Sequence, residues 1–127
     1  MTDLGSRYVT ALVAKDTDAL MALFAPQVYF RALTPRRSWE ADSPEEVVHE
    51  VLYTWFAAHE VIESVDQLER GRVVDRERVD YRFIVRTPDG RFAVEQRAYF
   101  DVDDADRISR MHVMCSGFQS LAPVIEA

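Results

Sequence analysis

A single cysteine, Cys115, is all the thiol that 127 residues contain. One thiol cannot close an intrachain disulfide. Nor can it build a thiolate metal site, which needs several cysteines at set spacing. Glycine and proline are scarce, at four and five residues, while 48% of the chain is hydrophobic and 29% charged. That is the composition of a globular domain and not of a disordered segment. Positive charge is also short: 15 Lys and Arg face 22 Asp and Glu, for a net charge of −7. Nucleic acid and anionic membrane surfaces both attract basic proteins, so neither is expected as a partner. No apolar run approaches the roughly 18 residues of a membrane span. The opening stretch MTDLGSRYVTALVAKD carries charges throughout and lacks the apolar core of a signal peptide. A soluble protein of the reducing cytoplasm is the expectation.

What the chain does contain is periodic. Residues 1–127 match the commonest size of a single domain, enough to bury about two-thirds of the unfolded surface. Leu4, Tyr8, Ala11 and Leu12 recur at helical spacing over 4–14. Asp16 or Thr17 stands where it can cap a second helix over 18–25, which Pro26 should end. Residues 27–33 are β-rich, and 34–42 read as a polar loop with Trp39 in its middle. Ser43-Pro44-Glu45-Glu46 is a capping box with proline at the first helical position. The helix it opens presents Val47, Val48, Val51, Leu52, Trp55 and Phe56 on one face.

From residue 60 the period changes to two. Strands are expected over 61–68, 79–85, 91–102 and 107–118, with turns at Thr87-Pro88-Asp89-Gly90 and at 103–106. A twelve-residue strand spans about 40 Å, more than the roughly 36 Å width of a compact domain this size. Such strands should bend and make one sheet face concave. The expected fold is therefore α+β: three N-terminal helices packed on a strongly curved mixed or antiparallel sheet, enclosing an apolar pocket.

Strand parity assigns the two faces. Val79, Tyr81, Phe83, Val85, Val94, Gln96, Ala98, Phe100, Met111, Val113 and Cys115 fall on the concave side. Arg82, Arg86, Glu95, Arg97, Tyr99, Arg110 and His112 fall on the convex side, where they read as cross-strand charge pairs. Gln96 is the polar exception on the concave face, and a buried amide needs partners. Cys115 has no cation at an activating spacing and reads as a small hydrophobe. The residues expected to contact a ligand are Phe30, Trp39, Trp55, Tyr81, Gln96, Met111 and Cys115. His49 and His59 belong to the third helix and its exit. No histidines or carboxylates share a face at metal-pair spacing, so neither metal nor cofactor is expected.

The order α-α-β-α-β-β-β-β, with the runs Arg7–Leu12 and Asp16–Ala25 and the closing hairpin Tyr99–Phe118, resembles the NTF2-like superfamily. Within it, the SnoaL-like and ketosteroid-isomerase-like branch is the most similar. The resemblance covers nearly the whole chain and implies a cone-shaped fold and a homodimer formed through the convex face. It says less of function, because the fold hosts isomerases, dehydratases, cyclases, epoxide hydrolases and non-catalytic binders. Tyr8 matches the first-helix tyrosine that, in ketosteroid isomerases, donates to the developing oxyanion. Ala32 and Ala98 stand where those enzymes keep a general base and a second acid, so that mechanism is not implied. Arg97 is followed by Ala98 and Tyr99, without the carboxylate of limonene-epoxide-hydrolase chemistry.

The expected function is that of a small-molecule pocket. It would be an isomerase, cyclase or dehydratase acting on a small hydrophobic carbonyl compound, with catalytic Tyr8 as hydrogen-bond donor. Any base would come from the rim, at Glu40 or Asp42, or from the substrate. The alternatives are a non-catalytic binder of an apolar metabolite and a dimeric interaction module.

Overall fold

A computed structural model describes residues 3–121, so the two ends of the expected 1–127 domain lie outside the described residues. The chain begins with α1 (Leu4–Ala14) and α2 (Thr17–Leu23), then the hairpin β1 (Phe24–Thr34) and β2 (Arg37–Ala41). A third helix follows, π-helical over Glu46–Leu52 and closed by an α-turn at Tyr53–Trp55. Then come β3 (Val61–Val73), β4 (Arg76–Thr87), β5 (Gly90–Val102), β6 (Ile108–Cys115) and the short β7 (Gln119–Ser120).

Local chemistry explains the helix ends. The Asp3 carboxylate accepts from the Ser6 amide at 2.8 Å and Asp16 from the Ala19 amide at 3.1 Å, each satisfying an orphan amide of a first turn. Ser43 Oγ accepts from the Glu46 amide at 3.2 Å, as a capping box requires. The Glu46 carboxylate reaches one residue further back than expected, to the Asp42 amide at 2.8 Å. The widened turn of the third helix matches its sequence. Val47/Val48, Val51/Leu52 and Trp55/Phe56 repeat every four residues and all are buried. A period of four lies between the 3.6 of an α-helix and the wider π turn, so a π segment closed by an α-turn keeps these pairs on one face. The Lys15 ammonium ties the exit of this helix to α1, donating to the carbonyls of Ala57 (2.6 Å) and Glu60 (2.7 Å).

The sheet runs β2-β1-β6-β5-β4-β3, with β7 added to β5. It is mixed: β1 and β6 are parallel and every other pair is antiparallel. Register shifts interrupt β3 twice and the β5–β6 ladder once, and such bulges bend and twist a sheet. The helices cover one face of this curved, unclosed sheet and bury a single core that includes Tyr8, Leu12, Phe30, Phe56, Phe83 and Met111.

Four expectations need correction. The helices are not all N-terminal, because the β1–β2 hairpin precedes the third. Pro26 does not end α2. The chain turns extended at Phe24, and Pro26 sits inside β1 where the ladder to β6 shifts register, a place that tolerates a missing N–H. Residues 37–41 are an edge strand instead of a loop, pairing Phe30 with Ala41 and Ala32 with Trp39. Their polar character is what an edge strand carries on its open side. Finally, β3 and β4 extend well beyond 61–68 and 79–85. They meet at the two-residue turn Val74-Asp75, hidden in the sequence because most of β3 is exposed on both faces.

That turn is strained. Val74 has φ of 59° and is 89% exposed, and a β-branched residue in the left-handed region costs about 1–2 kcal/mol. Val74→Gly or Val74→Asn is expected to raise the urea midpoint by the equivalent of about 1 kcal/mol. A lower midpoint would mean that valine packs there in a way its exposure does not show.

Candidate functional site

The concave face is built in rows across the strands. In one row the ladder places Leu68 of β3 opposite Tyr81 of β4, Tyr81 opposite Gln96 of β5, and Gln96 opposite Cys115 of β6. Helix α1 lays Tyr8 over this row. It can do so because Gly5, one turn earlier, lets the helix approach β4: a Cβ there would stand 3.1 Å from the Val79 Cβ. Tyr8, Tyr81 and Gln96 are 0%, 2% and 3% exposed.

These side chains satisfy one another. The Tyr81 hydroxyl donates to Gln96 Oε1 at 2.5 Å, and the Tyr8 and Tyr81 oxygens are 3.5 Å apart. Gln96 Nε2 donates to Cys115 Sγ at 3.2 Å, and the Gly117 amide donates to the same sulfur at 3.3 Å. A hydroxyl has one proton. With the Tyr81 proton committed to Gln96, the Tyr8 proton is the only one left for the longer contact. At 3.5 Å that contact is at the limit of a hydrogen bond and readily exchanged for a better acceptor. Burial pushes both phenols well above the ordinary tyrosine range, with the neighbouring phenol adding to the rise at Tyr81. Both are therefore neutral donors wherever the fold persists.

Their titration is a testable consequence. Unfolded phenols ionise near pH 10, before the buried ones. The stability held by keeping Tyr8 and Tyr81 neutral is full below about pH 10 and falls as pH rises through and beyond it. Of the five tyrosines, these two are expected to ionise only as the protein unfolds, which absorbance at 295 nm alongside circular dichroism would show. Five equivalents of phenolate in a chain still folded would contradict it.

The next row is wholly apolar: Val79, Ala98, Val113, Ala32 and Trp39 lie in register across β4, β5, β6, β1 and β2. Ala32 and Ala98 are 4% and 0% exposed, so the two positions that would hold acids are closed and uncharged. Further along, Met111 is buried between Phe30 and Phe100.

At the β1–β2 side the lining is aromatic. The Trp55 ring lies 6.3 Å from Phe30 and 5.8 Å from Trp39, perpendicular to the latter. Trp39 is a strand residue and does not sit in the polar loop expected at 34–42. Its indole N–H donates to Thr34 Oγ1 at 2.9 Å and the Arg37 guanidinium stacks on it at 3.6 Å. The Trp55 N–H is buried and has no partner. Glu40 and Asp42 do not supply a base to the concave face. Both pair with Arg31 on the outer side, Asp42 at 3.0 Å and Glu40 at 4.0 Å, and both are largely exposed.

One feature escaped the sequence reading. Val65 and Leu68 are in register with Phe83 and Tyr81, and so belong to the concave side, yet they are 40% and 44% exposed. The start of α1 reaches β3, where Asp3 pairs with Arg70, but Val65 and Leu68 stay partly exposed beside the phenols. The signal of this edge in the sequence was weak, because the aliphatic residues of β3 (Val61, Ile62, Val65, Leu68 and Val73) keep no regular period.

The outer face is different. Two open depressions of about 400 and 380 Å³ lie there, sharing Arg97 and Met114. The first is walled by the pairs Asp80–Arg97 and Arg82–Glu95. Beside the second, Leu33 and Met114 are 50% and 58% exposed. Tyr29 is stacked by Arg31 at 3.8 Å and by Arg110 at 4.5 Å. His112 is lowered by partial burial and by Arg110 and Arg76, which favours the neutral ring. His49 rests against Tyr53, and His59 is 3.4 Å from Glu60. Among the described residues no cluster of three His, Cys, Asp or Glu could hold a metal, and no helix is long and apolar enough to cross a membrane.

No protein-family model matches the chain, and no curated protein matches it in sequence. Solved structures do resemble it. A protein of ketosteroid isomerase-like fold from Catenulispora acidiphila, in complex with trimethylamine, has a TM-score of 0.68 at 15% identity, over 91% of this chain and 87% of that one. An LEH-like epoxide hydrolase of M. tuberculosis has 0.65 at 13%, over 89% and 80%. A SnoaL-like family protein from Agrobacterium tumefaciens has 0.60 at 13%, over 90% and 95%. The chain thus has the fold that SnoaL-like, ketosteroid isomerase-like and LEH-like proteins share, the NTF2-like fold.

Proposed function

We propose that this chain binds a small, hydrophobic, carbonyl-bearing molecule in the cone and turns it over as an isomerase, cyclase or dehydratase. Tyr8 donates its hydrogen bond to the carbonyl. The observation that carries this reading is the buried Tyr8–Tyr81–Gln96 row: a neutral phenol whose own contact is long, backed by a second phenol and a fixed amide, in otherwise apolar surroundings. A ligand carbonyl taking the place of the Tyr81 oxygen would gain a strong donor in a site that excludes water. The exposed Val65–Leu68 edge supplies an apolar way in.

With alanine at positions 32 and 98, the site polarises a carbonyl but brings no carboxylate to it. The base that takes the proton, or the attacking group, then comes from the substrate or from solvent. The same two alanines favour a second reading, a holder of an apolar metabolite without chemistry. Hydrogen–deuterium exchange next to the carbonyl of 4-cyclohexylcyclohexanone in imidazole-buffered D₂O, the buffer acting as the base that the cone lacks, separates the two. A polarising enzyme accelerates that exchange, and a holder binds the ketone and leaves it unchanged.

The convex face suits a second copy of the chain, since Leu33 and Met114 expose apolar surface among arginine–carboxylate pairs. Sedimentation is expected to show a dimer that Met114→Glu shifts toward monomer. A monomeric parent protein would remove this interface from the account.

A further inference from the structure

We infer that Trp55 is a second ligand-contacting donor, and that the molecule this protein takes is elongated, apolar and uncharged, with a hydrogen-bond acceptor at each end. The inference rests on the reading of the cone as a small-molecule site. Trp55 is 8% exposed, and its N–H is fully buried with no partner. Such a group forfeits its hydration on folding, and native structures rarely leave it unmatched without a functional reason. Among the described residues the other donors of the cone are committed: Tyr81 to Gln96, Gln96 to Cys115, and the Trp39 indole to Thr34. A further buried and unmatched N–H, Arg107 Nε, lies outside the cone, 3.5 Å from Asp103 in the turn before β6. Within the cone, Tyr8 and Trp55 are the two that are free or weakly held.

They lie on opposite walls. Tyr8 sits over Tyr81 of β4, and Trp55 packs edge-on against Trp39 of β2. Tyr8 also packs on Phe24 and Trp55 on Phe30, both of β1, so the two contacts lie six residues apart on that strand, about 20 Å along it. Between them lies the apolar row of Ala98, Val113 and Ala32. Around Trp55 the walls are Phe30 and Trp39. The lining around Trp55 is aromatic, so a carboxylate there would be stripped of water with one hydrogen bond in return, whereas a carbonyl or ether oxygen suits it. The π-helical segment that leads into Trp55 is a second departure from regular structure at this place, and such segments are frequent at functional sites.

The test uses three compounds of one shape: bicyclohexyl-4,4′-dione, 4-cyclohexylcyclohexanone and bicyclohexyl. The native protein is expected to bind the dione about five- to tenfold more tightly than the monoketone, the gain from one buried hydrogen bond. Trp55→Phe, which keeps a ring in the core, should bring the dione down to the monoketone, and Tyr8→Phe should do the same. In the unaltered protein, the Trp55 indole N–H resonance should shift on adding the dione, so the test does not depend on the variant folding. If Trp55→Phe leaves the dione's advantage intact, or the indole resonance does not move, the inference is wrong. If Tyr8→Phe leaves it intact while Trp55→Phe removes it, the role of Tyr8 falls and the Trp55 contact stands. If none of the three compounds binds, both fall.

Discussion

Tyr8→Phe is expected to slow carbonyl-directed exchange about 10²- to 10³-fold while changing stability by about 1 kcal/mol. The two numbers come from one geometry. In the free protein the Tyr8 hydroxyl holds only a 3.5 Å contact to Tyr81, and Tyr81 keeps its 2.5 Å bond to Gln96 without it. The ring itself, which carries the packing against Phe24 and Tyr81 at centroid distances of 6.3 and 6.1 Å, is unchanged in phenylalanine. The loss therefore falls on the ligand-bound state, where the phenol is the polarising group. Exchange rates with and without the protein, measured beside the melting temperature of the variant, check both halves. An unaltered rate would remove Tyr8 from the chemistry. A collapse in stability would mean that the tyrosine is there to hold the core.

Ala98→Asp carries the other large effect. Ala98 is fully buried, and its cross-strand partners are Val79 and Val113. A carboxyl there meets no donor in its row, so the substitution is expected to cost about 3–5 kcal/mol, enough to lower the melting temperature by about 10–20 °C. Burial disfavours the charged form, so the folded-state pKa of the new group is raised. The sign follows: the penalty is smallest at acid pH, where the carboxyl is neutral folded or unfolded, and grows as pH rises through the ordinary carboxylate range. Thermal melts at pH 4 and pH 7 test this. A variant as stable as the parent at pH 7 would show that the row is polar or open to water, contrary to the registers and burial described above.

The sequence was a good guide where chemistry repeats along the chain. The period-two alternation from Val79 to Val85 and from Val94 to Phe100 assigned the faces of β4 and β5. Asp16 and Ser43 marked two helix starts because a cap depends on one residue and its near neighbours. Strand edges were harder. The 37–41 segment is polar because its outer side is open, and polarity alone reads as loop. Most of β3 faces water on both sides, so it has little alternation to read. The site was legible in part. Tyr8, Tyr81, Gln96 and Cys115 could be named from parity and from a resemblance, but which proton each hydroxyl commits depends on distances that span helix and sheet. The unpaired Trp55 N–H is a property of packing alone, and no spacing in the sequence announces it.

The central claim, that Tyr8 offers its proton to a ligand carbonyl inside the cone, is tested most directly by a crystal structure of the protein with bicyclohexyl-4,4′-dione bound. The dione should span the concave face, with one carbonyl oxygen about 3 Å from the Tyr8 hydroxyl and the Tyr81–Gln96 bond intact. A dione seated on the convex face, or one lying in the cone with Tyr8 still turned to Tyr81, would contradict it.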